Sequence, residues 1–272
     1  MTSHATQLAL APAAPARPPR PGQLRVITLN VQHAAAPRAR AQAAWLAEQD
    51  TADVAVLTEI GHGPGRIALL EALEARGLHT LAPQPHPGDY GVVLAARAPL
   101  VPVPTRSEFL PHRLLAARVQ IADRHATVAG IYVPSRGPRE RRNQDKRAFQ
   151  AAVAAALPAL AARAGAAGPL VVAGDLNVLE PGHQPHHAVF GDWEYAFYRA
   201  FAAAGLTDAF RHLHPEALEH SWYGRSGAGY RFDHLFLSAA HAGDLAECGY
   251  LHAPCEQGLS DHAALTATLQ LI

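Results

Sequence analysis

Cysteine, net charge and long apolar runs are all scarce in this chain. Among 272 residues there are two cysteines, Cys248 and Cys255, with no close C-x-x-C pair. They read as free thiols of a reducing compartment, a single disulfide between them being the alternative. Cys255 lies between Pro254 and Glu256 in loop-like sequence, so neither cysteine is assigned chemistry. Formal charge is zero with histidine neutral. No global field therefore advertises a nucleic-acid partner, and any such partner must meet a local basic patch. No apolar run approaches the roughly 20 residues that cross a bilayer. Nor is there an internal period of about 20 to 50 residues, which excludes a solenoid.

What is abundant is Ala, Arg, Pro and His, a bias that resembles G·C-rich coding and discounts the 17 histidines as evidence of a site. The length suits one large α/β domain or two small ones, and allows a sizeable core. Residues 1–22 are rich in Ala and Pro. Leu8-Ala9-Leu10-Ala11 is too short for a signal core before Pro12 breaks it, so the segment is expected to be a disordered tail and the protein soluble and cytoplasmic.

Folding is expected to start with the β-branched run Leu24 to Val31, a buried strand. A helix from about Arg38 to Gln49 follows, then the strand Val54 to Leu57 leading into Thr58-Glu59. A second helix, near Arg66 to Arg76, stops at Gly77. Tyr90 to Ala96, Leu114 to Ile121 and Ala126 to Val133 read as strands. Arg139 to Ala164 reads as a long helix, with Pro158 a candidate interruption. The strand Leu170 to Ala173 delivers Asp175 and Asn177. Trp193 to Ala204 is helical, and the last third returns to strands at Arg231 to Leu237 and His262 to Leu269. A short strand is allowed between them. Strands and helices without strict βαβ alternation argue for an α+β, layered architecture.

Chemistry-bearing residues recur at strand exits: Asn30, Glu59, Tyr132, Asp175 with Asn177, and Asp261 with His262. Singly each is no more than a turn former; the order is what carries information. Leu29-Asn30, Leu57-Thr58-Glu59, Ile131-Tyr132-Val133-Pro134-Ser135, Gly174-Asp175-Leu176-Asn177, Tyr230-Arg231-Phe232-Asp233-His234 and Ser260-Asp261-His262 resemble the motifs of the endonuclease/exonuclease/phosphatase superfamily. The segment Gly205 to Pro215, followed by Ser221-Trp222-Tyr223, is similar to its exonuclease III and AP endonuclease branch. The resemblance spans residues 23–272 as one domain. It implies a four-layer α/β/β/α sandwich of two face-to-face mixed sheets with outer helices.

The resemblance further implies a Mg²⁺- or Mn²⁺-dependent phosphodiesterase, first a DNA nuclease acting at abasic sites or 3′ ends, the alternative being a phosphoesterase of the same fold that acts on a small-molecule or lipid phosphate ester. Hard oxygen ligands suit such an ion: Glu59 first, with Asn30 and Asp261 beside it. Asp175 would activate water, Asn177 orient water or phosphate, and His262 bond a phosphate oxygen while Asp233 holds its other ring nitrogen. Tyr132 would donate to the phosphate or the leaving group. Arg136, Trp222, Tyr223 and Arg231 are the expected substrate contacts, DNA the expected partner, and a monomer the expected state. No obligate protein partner is evident.

Departures from the branch are Val31-Gln32-His33-Ala34, which puts Gln32 where the branch can carry an acid, and Ile60-Gly61-His62-Gly63 in place of its Thr-Lys. The basic run Arg136, Arg139, Arg141, Arg142, Lys146 and Arg147 suits DNA phosphates or a solvated helix face equally. Gly182-His183-Gln184-Pro185-His186-His187 invites a zinc reading but lacks companion ligands at usual spacing.

Overall fold

In the computed structural model the described residues are 22–49, 52–136, 140–165 and 168–271, with the side chains of 140–142 excepted. The expected tail at 1–22 and Arg139, Arg141 and Arg142 of the basic run thus fall almost wholly outside what is described.

Two six-stranded mixed sheets form the body. The first runs, edge to edge, Leu245–Leu251, Ala264–Gln270, Gln23–Asn30, Val54–Ile60, Gly91–Ala96 and His79–Leu81. The second runs Leu100–Pro102, Leu114–Ile121, Arg124–Tyr132, Leu170–Asp175, Asp233–Ser238 and Leu206–Asp208. Each sheet has one parallel pair at its heart: Gln23–Asn30 with Val54–Ile60, and Arg124–Tyr132 with Leu170–Asp175. Parallel strands end on the same side, so these pairs bring Asn30 with Thr58 and Tyr132 with Asp175 to matching ends. The antiparallel strand Asp233–Ser238 starts where Leu170–Asp175 finishes, with Asp233 opposite Asp175.

The central strands are apolar on both faces because both faces are covered. Val26, Val54, Val56 and Leu94 of the first sheet meet Val119, Val128, Val171 and Leu235 of the second. The alternate residues Ile27, Leu29, Leu57 and Val93 pack outward with Trp45, Leu46, Leu69 and Leu73 from the helices Ala36–Glu48 and Pro64–Glu74. The helices Glu140–Gly165 and Asp192–Ala203 cover the second sheet in the same way, through Phe149, Val153, Leu157, Phe197 and Phe201. The sheets pack tightly at Gly130, where a Cβ would lie 2.6 Å from Val92 Cγ1 and 2.9 Å from Val56 Cγ1.

Several expectations need correction. The long helix passes through Pro158 without a break. Its segment Asn143–Gly165 is long and apolar enough, by length and composition, to cross a membrane, although Gln150, Pro158 and Arg163 break its apolar run; Phe149, Leu157 and Leu160 are its largest apolar side chains. Those three larger residues are buried against the second sheet, so it is a core helix here. The short strand allowed in the last third is the seven-residue Leu245–Leu251. Both cysteines are free.

Candidate active site

One end of the sandwich opens into a cleft of about 1350 Å³ lined by Glu59, Tyr132, Arg136, Asp175, Asn177, Trp222, Asp261 and His262, among others. Residues up to two hundred positions apart meet there because strand ends deliver them.

Glu59 sits at φ 59°, in the left-handed region, where the register with Gly91–Ala96 slips between Leu57 and Ile60. A non-glycine residue pays for that conformation, and such strain collects at functional sites. The irregularity turns its carboxylate into the cleft. His33 Nδ1 lies 2.7 Å from one oxygen and Asn30 Nδ2 donates to the other at 2.9 Å.

Asn30 lies between the carboxylates of Glu59 and Asp175. Its Oδ1 accepts from the Gln32 N–H at 2.8 Å, and its Nδ2 donates to both Glu59 and Asp175 at 2.9 Å. That pattern fixes the amide orientation, so Asn30 presents a donor to the carboxylates and works as a clamp between them.

Asp175 is 1% exposed. It accepts from the Asn177 N–H at 2.8 Å, and its other oxygen accepts from Asn30 Nδ2. Burial, then the nearby charge of Asp233, pushes its pKa up to about 7. Asn177, itself at φ 49°, donates through Nδ2 to the Val133 carbonyl at 3.0 Å. Its own carbonyl accepts from Lys146 Nζ at 2.7 Å, and Lys146 is paired with Glu194 at 2.5 Å. Lys146 is fully buried, which takes it out of both readings of the basic run, the DNA contact and the solvated helix face. Neither it nor Glu194 was singled out for the site, since a mid-helix lysine looks like any solvated cation.

His262 Nδ1 lies 2.7 Å from Asp233 Oδ2, and the other oxygen, Asp233 Oδ1, is buried without a hydrogen-bond partner. Burial acts to lower the imidazole's pKa, but the Asp233 charge and hydrogen bond outweigh it and raise the value to about 9. The ring is therefore cationic at neutral pH, with Nε2 left for the cleft. Asp175, Asp233 and His262 bring one ligand atom each within 4.8 Å of the others. Tyr132 is buried; desolvation and then the charges of Glu59 and Asp175 hold its pKa well above normal, so the phenol keeps its proton. The Arg113 guanidinium stacks 4.6 Å from the Tyr132 ring centroid and pairs with Asp89, which also meets His112 at 2.7 Å. This cluster went unread because no motif carries it.

Asp261 is exposed and accepts from Trp222 Nε1 at 3.0 Å. Glu59 and Asp261 each keep unused lone pairs facing the cleft, carboxylate oxygens offering about four acceptor sites. This hard, all-oxygen donor set fits Mg²⁺ or Mn²⁺. Within the buried trio His262 Nδ1 already holds Asp233 Oδ2, and the trio reads as a proton-handling group.

Of the expected substrate contacts, Trp222 and Arg136 line the cleft, Arg136 also donating to Glu194 at 2.7 Å. Tyr223 does not line it: strand alternation turns its half-exposed ring toward His220. Arg231 is fully buried, gripping Glu180 at 2.5 Å and Asp208 at 2.8 Å. Its neighbours Tyr230 and Phe232 face the cleft instead, stacked at 5.1 Å, and Phe190 joins them. The histidine loop is no zinc cage. Both His183 nitrogens are engaged, one by the Arg231 N–H and one at the Pro185 carbonyl, while His187 meets the Gly229 carbonyl.

The endonuclease/exonuclease/phosphatase family model matches residues 27–262. Among curated proteins none matches the sequence. Solved structures share the fold. A 3′ phosphatase, NExo, from Neisseria bound to a product DNA hairpin superposes with TM-score 0.76 at 22% identity, covering 90% of this chain and 98% of that one. An AP endonuclease from Archaeoglobus fulgidus gives 0.75 at 21%, covering 90% and 99%. The 3′-5′ exonuclease NExo from Neisseria meningitidis gives 0.74 at 24%, covering 91% and 100%. With motifs, sandwich and cleft all in place, the chain belongs to the endonuclease/exonuclease/phosphatase family.

Proposed function

We propose that the protein is a Mg²⁺- or Mn²⁺-dependent phosphodiesterase of the exonuclease III type. It would hydrolyse DNA at abasic sites or remove groups from 3′ ends. The observation that carries this reading is the convergence of Glu59, Asp175 and the Asp233–His262 pair on one cleft with an aromatic wall of Trp222, Tyr230 and Phe232. Stacked aromatic faces suit a sugar or base drawn out of a duplex.

Each side chain then has a task. Asp175, with a pKa near the working pH, accepts a proton from the attacking water as its oxygen bonds to phosphorus. Asn177 orients that water or a phosphate oxygen. Cationic His262, held by Asp233, bonds a non-bridging oxygen and stabilises the charge that grows on it. As the P–O ester bond breaks, Tyr132 supplies a hydrogen bond to the departing oxygen or to the phosphate. A divalent ion held by Glu59 and Asp261 would contribute Lewis-acid neutralisation of the phosphate.

The test is one activity panel: duplex DNA with an abasic analogue, DNA with recessed or phosphorylated 3′ ends, RNA, and small phosphate esters, with and without Mg²⁺. Metal-dependent cutting of DNA is expected. Turnover confined to an inositol or lipid phosphate would sink the DNA reading while leaving the phosphoesterase chemistry standing.

A further inference from the structure

Arg113 lines the cleft, where a guanidinium would ordinarily be read as a phosphate contact. Its hydrogen bonds say otherwise. It is 6% exposed, and all three guanidinium nitrogens donate within the protein: Nε to Asp89 Oδ2 at 3.4 Å, Nη2 to Asp89 Oδ1, and Nη1 to the Tyr132 carbonyl at 3.3 Å. Its Cζ lies 4.6 Å from the centre of the Tyr132 ring. The fork is spent on the protein, and what it touches is the phenol placed to serve the phosphate or the departing oxygen.

Both sheets contribute to this arrangement. The pairing of Leu114–Ile121 with Arg124–Tyr132 ends at Leu114 opposite Ile131, so Arg113 stands opposite Tyr132, one step past the last pair. Asp89 comes from the other sheet, in the segment that leads into Gly91–Ala96. That segment runs against the turn Pro111–Arg113 because Gly91 has no side chain: a Cβ there would lie 2.9 Å from the His112 carbonyl oxygen. His112 Nε2 then meets Asp89 Oδ2 at 2.7 Å, and the Tyr90 N–H donates to Asp89 Oδ1 at 2.8 Å. Burial acts to raise the Asp89 pKa, but the hydrogen bonds of His112 and Arg113 and the Arg113 charge outweigh it and hold the carboxyl well below its usual range. Asp89 is thus a fixed anion, Arg113 is fixed on it, and the guanidinium covers one face of Tyr132. A cation over an aromatic ring is held most firmly where water is excluded, and both Arg113 and Tyr132 are buried.

We propose that Arg113, held by Asp89, is the positioning residue for Tyr132: it fixes the ring across the two sheets so that the hydroxyl meets the phosphate or the departing oxygen. Misplacing a group by about 1 Å can cost on the order of a hundredfold in rate, so the strap that sets the phenol's pose controls how much the phenol contributes. The inference rests on the reading of Tyr132 as a donor in the cleft. It does not depend on DNA being the substrate.

The test is a double-mutant cycle on the full-length protein at saturating Mg²⁺, with duplex DNA carrying an abasic analogue or, failing that, whichever phosphate ester of the activity panel is turned over. Asp89→Asn should lower kcat roughly 10- to 100-fold, by no more than Tyr132→Phe does, with KM changed far less. Added to Tyr132→Phe it should lower kcat no further, because no hydroxyl is left to place. A merely structural contact would lower the melting temperature in both backgrounds without making the two kcat losses overlap. Arg113→Lys keeps a charge beside Asp89 but has no planar fork to lay on the ring. It should therefore repeat the loss, and it carries the cycle if Asp89→Asn does not fold. An unchanged kcat in either variant, or losses that multiply with that of Tyr132→Phe, overturns the proposal. If no ester is hydrolysed, the hydrolytic reading fails by itself, and the ¹³Cζ resonance of Tyr132, assigned by its absence from Tyr132→Phe, decides whether the strap sets the ring. That resonance should move in Asp89→Asn, and an unmoved one overturns the proposal independently of any activity.

Discussion

Arg231 and Asp233 stand two residues apart on one chain segment, yet each anchors a buried charge cluster of opposite design. Around Arg231 the guanidinium spreads over Glu180 and Asp208, and Arg211 closes the other side of Glu180 at 2.6 Å. Both acids are held below their usual pKa range although burial pulls the other way, Glu180 at about 2. Around Asp233 one imidazole serves two buried carboxylates, one Asp233 oxygen is left bare, and Asp175 is pushed up to about 7. The first cluster is paired to completion and acts as a brace. The second is left short of positive charge, which suits a site that must meet a cation and a phosphate and pass a proton.

The sharpest way to separate the two is to remove one charge from each. Asp175→Asn should cut the hydrolysis rate by about 10²- to 10⁴-fold, the usual worth of a general base. It should leave thermal stability equal or higher, since a poorly compensated carboxylate is gone. Rates on the preferred DNA substrate and a melting curve decide it, and an unchanged rate would remove Asp175 from the chemistry. Arg231→Met should do the reverse. Leaving Asp208 without its guanidinium, and Glu180 with Arg211 alone, ought to cost about 3–5 kcal/mol of stability, read by urea unfolding, while the protein that stays folded keeps most of its turnover. A loss of turnover with full stability would return Arg231 to the substrate contacts.

pH separates the clusters by sign. Glu180 and Asp208 have depressed folded pKa values, so the stability they give is present above their unfolded values near 4. It is lost as pH falls, through about 2 for Glu180. His262 is raised to about 9, so its contribution is complete below about 6.5 and disappears as pH climbs past 9. Asp175, raised to about 7, also loses stability with rising pH, but earlier, between its unfolded value near 4 and about 7, because the folded state disfavours its charged form. Denaturant midpoints across pH should therefore show an acid limb that Arg231→Met flattens and an alkaline limb that His262→Ala flattens. If both variants flatten the same limb, the contrast fails.

This contrast also explains what could be read from the chain and what could not. Strand cores such as Gly91–Ala96 are visible because apolar residues run without interruption. The layers followed from the resemblance in motif order. The convergence of Glu59, Asp175 and His262 was legible for the same reason, Glu59 and Asp175 standing at the end of apolar runs and His262 at the start of one. Arg231 and Tyr223 were misread because motif proximity does not say which face a side chain takes, and strand alternation decided it. Lys146, Glu194, Asp89 and Arg113 were missed because pairing across long separations leaves no local trace. Asn30 lay in the right place, but only its hydrogen-bond partners show which end of the amide faces the carboxylates.

The smallest effect tests the rim of the second cluster. Trp222 spans both halves of the cleft: its ring lies 5.8 Å from Phe232, and its Nε1 donates to Asp261 at 3.0 Å. Trp222→Phe keeps an aromatic face but deletes the donor. Asp261 is exposed, so water replaces the lost partner and stability should fall by no more than about 0.5–1.5 kcal/mol. Because the indole aims a carboxylate assigned to the metal, the apparent affinity for Mg²⁺ should drop about tenfold, as it does when a ligand's supporting hydrogen bond is removed. The rate at saturating metal should change far less. A Mg²⁺ titration of activity, alongside direct binding of Mn²⁺ without substrate, reads the two separately. An unchanged metal affinity would detach Asp261 from the cation and leave Glu59 as its sole carboxylate anchor.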